Sequence, residues 1–186
     1  MRMRKGQTAM EYLMTYGWAI LIIMVVLGVL YYLGVLNPSQ LTPSQCAFPP
    51  GFSCTTYKLK SSSGNLSLQV GQGTGKTVIV TGVFCSANMS SSYSPGALTG
   101  KAVLYDSNEN VTITSGASAY IAGDDKTGDT GKSIAVTCYD ANEQLPSPSL
   151  TSVGSIYIGR LYVNYTEVQT GMERITVASL TARYEV

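Results

Sequence analysis

The chain has 186 residues, 45% of them hydrophobic and only 12% charged, with a formal net charge of +1 and no histidine. Three of the basic residues, Arg2, Arg4 and Lys5, crowd into the first five positions, so the remainder is slightly acidic and offers no basic patch for nucleic acid. The lack of histidine removes the commonest general base and argues against a zinc site, since the cysteines show no tight Cys-x-x-Cys spacing either.

The first predicted element is a helix running from Met10 to Leu36. Between Lys5 and Lys58 the only charged side chain is Glu11. An apolar run of that length reaches roughly 35–40 Å as a helix at about 1.5 Å per residue, enough to cross a hydrocarbon core about 30 Å thick. The three leader cations orient it with the leader in the cytoplasm and everything after Leu36 outside. A secretory signal would place its apolar region ahead of the cut, and a soluble core helix would be shorter. Glu11 is a poor feature for a simple anchor, because an unpaired carboxylate near lipid is costly. A cut after Gly6 would supply a partner, the new α-amino group at Gln7 of a neighbouring copy.

The order of these residues is specific. A basic leader, a Lys5-Gly6 junction, Gln7 first after it, Glu11 at the fifth place and then an apolar helix resemble the class III signal peptide of type IV pilins. The wording Gln7-Thr8-Ala9-Met10-Glu11-Tyr12-Leu13 is most similar to archaeal members. The resemblance is tight from Lys5 to about Leu36. It implies recognition of Gly6 by a prepilin peptidase, Gln7 as the mature N-terminus and Glu11 as the assembly carboxylate. Its implied partners are other pilin subunits in a helical homopolymer, a pilus assembly ATPase and a membrane platform protein.

Gly17, Gly28 and Gly34 lower helix propensity but let helices approach closely. Asn37-Pro38 is expected to stop the helix. A linker follows over 37–54, turn-rich through Pro43, Pro49, Pro50 and Gly51 and flanked by Cys46 and Cys54.

From 55 to 186 the texture changes to short alternating runs, the pattern of a half-buried antiparallel sheet. Leu66, Leu68 and Val70 alternate with polar residues, as do Val111 and Ile113; further strands read at Thr77–Phe84, Lys101–Tyr105, Ser133–Cys138, Ser155–Tyr165 and Glu173–Glu185. Ile156 and Ile158 fall out of phase with Leu161, Val163 and Tyr165, which either a bulge at Gly159 or burial of both faces of the strand would explain. Many strands at short spacing argue for a sandwich or a small barrel; the fold expected is α+β, a long N-terminal hydrophobic helix followed by an antiparallel all-β head, with an immunoglobulin-like sandwich as the preferred form.

Four cysteines fit an oxidising compartment and allow three connectivities. Ile134, Val136 and Cys138 share one strand face, and Ile79, Val83 and Cys85 another, so both thiols point inward. A Cys85–Cys138 bridge joining distant strands follows, and Cys46–Cys54 is the remaining pair.

Other features carry less. Gly71 to Thr77 misses the phosphate-loop spacing by one residue and precedes a strand-like run, so it reads as a hairpin turn. Asp124, Asp125 and Asp129 fail the EF-hand template and read as a solvated acidic loop. Asn65, Asn88, Asn110 and Asn164 head four Asn-x-Ser/Thr sequons, candidate glycan sites on an outside domain. No nucleophile and base are paired in the sequence, and no enzyme activity or cofactor is expected. The chain reads as an extracellular filament subunit held in the cytoplasmic membrane before assembly. The alternative is a permanently anchored single-span surface binding protein.

Overall fold

The computed structural model describes residues 4–35, 42–89, 93, 103–104, 110–127, 132–147 and 151–186. The chain divides into two compact units, Met1–Thr42 and Pro43–Val186. The first contains α1 (Arg4–Tyr32), and the second contains β1 (Gln45–Ala47), β2 (Phe52–Lys60), β3 (Asn65–Gln72), β4 (Val78–Ser86), β5 (Val103–Leu104), β6 (Val111–Ile113), β7 (Ser118–Thr127), β8 (Lys132–Ile134), β9 (Val136–Tyr139), β10 (Ile156–Glu167) and β11 (Glu173–Glu185).

α1 is 29 residues long, about 44 Å at 1.5 Å per residue. Its end differs from the sequence expectation. Gly34 takes a positive φ of 69°, its amide donates to Tyr31 O at 3.0 Å, and the Val35 amide reaches back to Leu30 O at 3.2 Å. This pair of bonds is a Schellman cap, which satisfies the last carbonyls and needs a residue that tolerates the left-handed region. The helix therefore ends before Asn37-Pro38, which lie outside the described residues.

In the second unit one sheet closes on itself. β11 pairs with β10, β10 with β4, β4 with β9, β9 with β3, β3 with β2, and β2 returns to β11. The head is thus a closed β-barrel rather than a clear immunoglobulin-like sandwich. Nor is the pairing wholly antiparallel: β4 runs parallel to β9 and β2 parallel to β11. Alternation of apolar and polar residues fixes which face of a strand is buried, but it is the same for a sandwich and a barrel. Closure depends on which edges meet.

Shorter strands extend the ring. β1 lies on β11, β5 and β6 lie on β4, and β7 with β8 extends from β3. β1 and the start of β2 occupy part of the stretch expected to be a linker, and β7 runs through Asp124 and Asp125, expected in a loop. The inside of the ring is filled by Leu66, Leu68, Val70, Val80, Leu161 and Leu180, all without exposure, among others. On the outside, Phe84 and Tyr162 form a second small cluster with Tyr93, Tyr139 and Ile175 packed against it.

The bulge expected at Gly159 lies elsewhere. β10 is regular at Gly159, which pairs with Leu180 in an unbroken register. The register shift lies further on, where Asn164 opposes Gly82 and Tyr165 opposes Val80, leaving Thr81 as the extra residue on β4. Thr81 changes the phase of β4: Val78 and Val80 face the core before it, and Val83 and Cys85 after it. Ile79, expected inside with Val83 and Cys85, is only half-buried. On β10 the inward positions are Tyr157, Leu161, Val163 and Tyr165, and Ile158 points outward, 55% exposed.

Candidate functional site

The sequence points first to the start of α1. Gly6 and Gln7 lie within its first turns. Glu11 is exposed, and its carboxylate has no hydrogen bond or ion pair among the described residues. Its backbone carbonyl accepts from Thr15 Oγ1 at 2.9 Å, a local bond that helical hydroxyls commonly make. Tyr12 and Tyr16, one turn apart, stack at 4.7 Å between ring centroids, and their hydroxyls lie 3.2 Å apart. A span of 23 residues, Met10–Tyr32, is long and apolar enough to cross a membrane, and its apolar window has no buried residue. Ile20, Leu21, Ile22 and Ile23 are each more than half exposed. Among the described residues of this unit nothing covers them.

The two disulfides tie different parts of the head. Cys46 and Cys54, with Cα atoms 5.9 Å apart, join β1 to β2. Cys85 and Cys138, with Cα atoms 4.5 Å apart, are direct register partners on the parallel pair β4 and β9. That bridge links strands 53 residues apart in sequence that lie side by side in the sheet. The Tyr157 hydroxyl lies 3.4 Å from Cys85 Sγ and donates to Tyr139 O at 3.0 Å; burial pushes this phenol well above the ordinary tyrosine range.

The sequons are not equivalent. Asn65 is half-buried at the start of β3, and its Oδ1 accepts from Thr137 Oγ1 at 2.9 Å. Asn88 donates through Nδ2 to Glu143 Oε1 at 3.2 Å, and Tyr93 OH donates to the same oxygen at 2.6 Å. Glu143 itself has a positive φ of 57°, a conformation that costs a non-glycine residue free energy and persists where neighbours hold it. Asn110 and Asn164 sit on either side of β4 near the Thr81 bulge, and each has a buried Oδ1 without a hydrogen-bond partner. Asn164 is 4% exposed in the middle of β10. Its amide is enclosed by the folded domain, unlike that of Asn65.

The Gly71–Thr77 stretch is not a phosphate cradle, and it is not a hairpin. It turns a corner between β3 and β4, which are not neighbours in the sheet. The buried Gln72 side chain knits the corner, donating from Nε2 to Lys76 O and accepting from the Thr74 amide at 3.2 Å. The Gly73 and Gly75 amides donate to Gly51 O at 2.9 Å and Ser115 Oγ at 3.1 Å. The donors that a phosphate would need are already used.

One cluster had no signal in the sequence. Glu167, whose side chain is 10% exposed, receives Lys76 Nζ at 2.6 Å and Arg174 Nε at 2.8 Å, and Thr170 Oγ1 donates to it at 3.0 Å. The hydrogen bond from Lys76 is the main cause holding its carboxyl below the usual range; burial opposes this, and Thr170 and the charge of Arg174 add to it. Lys76 is 91 residues away in sequence, so only the tertiary fold brings the pair together. No group of potential metal ligands occurs among the described residues; Asp129 lies outside them.

Models of known protein families give no match to this chain, and a comparison with curated proteins gives none either.

Proposed function

We propose that the chain is the subunit of an extracellular type IV pilus-like filament, cut after Gly6 by a prepilin peptidase and polymerised through its N-terminal helix. The observation that carries this reading is the membrane-length span Met10–Tyr32, whose apolar window has no residue buried among the described residues of its unit. Leaving such a surface in water costs about 1.5–3 kcal/mol for each large side chain, on the order of tens of kcal/mol over the span. It therefore needs lipid before assembly and sister helices afterwards. The basic leader, the Lys5-Gly6-Gln7 junction and Glu11 add the features of a processed helix. Two disulfides in the head fit an oxidising exterior.

In this mechanism cleavage exposes the Gln7 α-amino group, and the Glu11 carboxylate of a neighbour pairs with it as the helix leaves lipid. The assembly ATPase and platform protein of the resembled family supply the work of extraction. The β-barrel forms the coat, and attachment to surfaces is its role.

The second reading, a permanent single-span anchor for a surface binding domain, uses the same helix but leaves the leader in place. Mass analysis of the N-terminus separates them. A chain beginning at Gln7 and recovered in sheared filaments is expected; a chain beginning at Met1 and found only in the detergent-soluble membrane fraction overturns the filament reading.

A further inference from the structure

The tyrosines of α1 stand only at its two ends. Tyr12 and Tyr16 lie in its first turns and Tyr31 and Tyr32 at its close. All four are exposed among the described residues of their unit, Tyr12 and Tyr16 by 65% and 53%, Tyr31 and Tyr32 by 80% and 89%. Tyr12 and Tyr31 are nineteen positions apart, about 29 Å of helix at about 1.5 Å per residue, against a hydrocarbon core about 30 Å thick. The two pairs are spaced as the two faces of a bilayer are.

The first pair is built as a unit. Its rings stack at 4.7 Å between centroids, and its hydroxyls lie 3.2 Å apart. Side chains of a helix lean toward its N-terminus, so the Tyr16 hydroxyl, one turn further in, reaches back to that of Tyr12. It is thereby spared the cost of a lone hydroxyl among apolar groups. A tyrosine ring favours the apolar side of a boundary and its hydroxyl the wet side. The pair therefore resists displacement in both directions, whereas Glu11 and the leader cations oppose sinking into hydrocarbon but not withdrawal from it. At the other end no charged residue occurs between Tyr32 and Lys58, which leaves Tyr31 and Tyr32 as the boundary groups of α1 there.

We infer that the stacked Tyr12 and Tyr16 pair seats in the lipid headgroup layer on the leader's side, sets the depth of α1 before assembly, and so holds the bond between Gly6 and Gln7 clear of hydrocarbon for the peptidase. Gln7 precedes Tyr12 by five positions, about 8 Å of helix, which carries the bond to the water side of that layer. The surface recognised is a bilayer face, and Tyr12 and Tyr16 are positioning residues for the cut. The inference rests on the membrane stage and the cleavage proposed above.

Trp18, the chain's one tryptophan, is a built-in reporter, since it lies about 9 Å further along the helix than Tyr12. The full chain is placed in phosphatidylcholine vesicles that carry a nitroxide either on the headgroup or part-way down the acyl chain, and quenching of Trp18 is compared. Tyr31→Leu and Tyr32→Leu are present throughout, so that the second pair cannot hold the old depth. Adding Tyr12→Leu and Ile20→Tyr rebuilds the stacked pair one turn later. Quenching is expected to move from the acyl-chain label toward the headgroup label, a rise of about 5–6 Å, one helical turn. An unchanged quenching profile overturns the inference. In cells that process the chain, the variant with the moved pair is expected to show a several-fold smaller fraction beginning at Gln7 than its parent; an equal fraction, with the helix shifted, overturns the positioning role. If wild-type chains all begin at Met1, the cleavage reading fails, and the vesicle measurement still decides where the pair seats.

Discussion

The ring of Tyr157 lies over Gly159 on the inner face of β10: a Cβ placed on Gly159 would come within 2.6 Å of Tyr157 Cε1 and 2.7 Å of Ser86 O on the neighbouring strand. Glycine is needed here for space, because the aromatic ring covers the place its side chain would occupy, as aromatic residues do for glycines in curved sheets. The same ring sends its hydroxyl to Tyr139 O beside the Cys85–Cys138 bridge. One local pairing thus braces three strands of the barrel.

Gly159→Ala is expected to lower head stability by about 1–3 kcal/mol, the usual range for overpacking. Adding Tyr157→Ala should relieve only the ring conflict, since the Ser86 carbonyl is backbone and cannot swing away. Urea melts of the single and double variants check this. A Gly159→Ala melt equal to wild type would show that the strands shift freely.

The two disulfides should differ in worth. They close loops with sequence separations of 53 and 8, and the chain-entropy relation makes the longer one more stabilising by about 1.5 kcal/mol. Replacing Cys85 and Cys138 together by Ser is therefore expected to lower the denaturation midpoint more than replacing Cys46 and Cys54. Peptide mapping of a non-reduced digest tests the pairing itself, and equal midpoints for the two double variants would contradict the ranking.

Glu167 predicts a pH dependence of defined sign. Its folded carboxyl titrates below its unfolded value because Lys76 bonds to it, with Thr170 and Arg174 in support and burial in opposition. The stabilisation it gives is fully present above the ordinary carboxylate range, about pH 4.3 for glutamate, and fades as pH falls through the lower folded value. Thermal melts from pH 7 to pH 3 should show wild type losing more stability than Glu167→Gln across that window. Parallel curves would remove the cluster from the stability of the head.

Glu11→Ala should impair filament incorporation while leaving the head folded, because the exposed carboxylate touches nothing in its own chain among the described residues. Comparing the variant's yield in sheared filaments with its amount in the membrane is the measurement. An unchanged ratio would take Glu11 out of the assembly step.

Glycopeptide mass mapping should find the Asn164 peptide unmodified in every folded copy, because Asn164 is 4% exposed in a central strand. Asn65, half-buried at the end of a strand, is the better acceptor. A glycan on Asn164 in protein with native melting behaviour would mean that β10 opens.

Much of the architecture was legible from residue order. The charge-poor run after Glu11 determined a membrane-length helix, and alternation along Leu66–Val70 and Val111–Ile113 determined which faces of β3 and β6 are buried. These are periodic signals carried by near neighbours in the chain. What the tertiary structure alone decided is different in kind. Closure of the ring required β2 to meet β11 in parallel, the extra residue had to fall at Thr81 for both halves of β4 to face the core, and Lys76 had to arrive beside Glu167. Each depends on pairing between segments far apart in sequence, where strand periodicity fixes the face but not the neighbour or the register. Even the helix stop moved, because Gly34 could take the left-handed cap before the proline was reached.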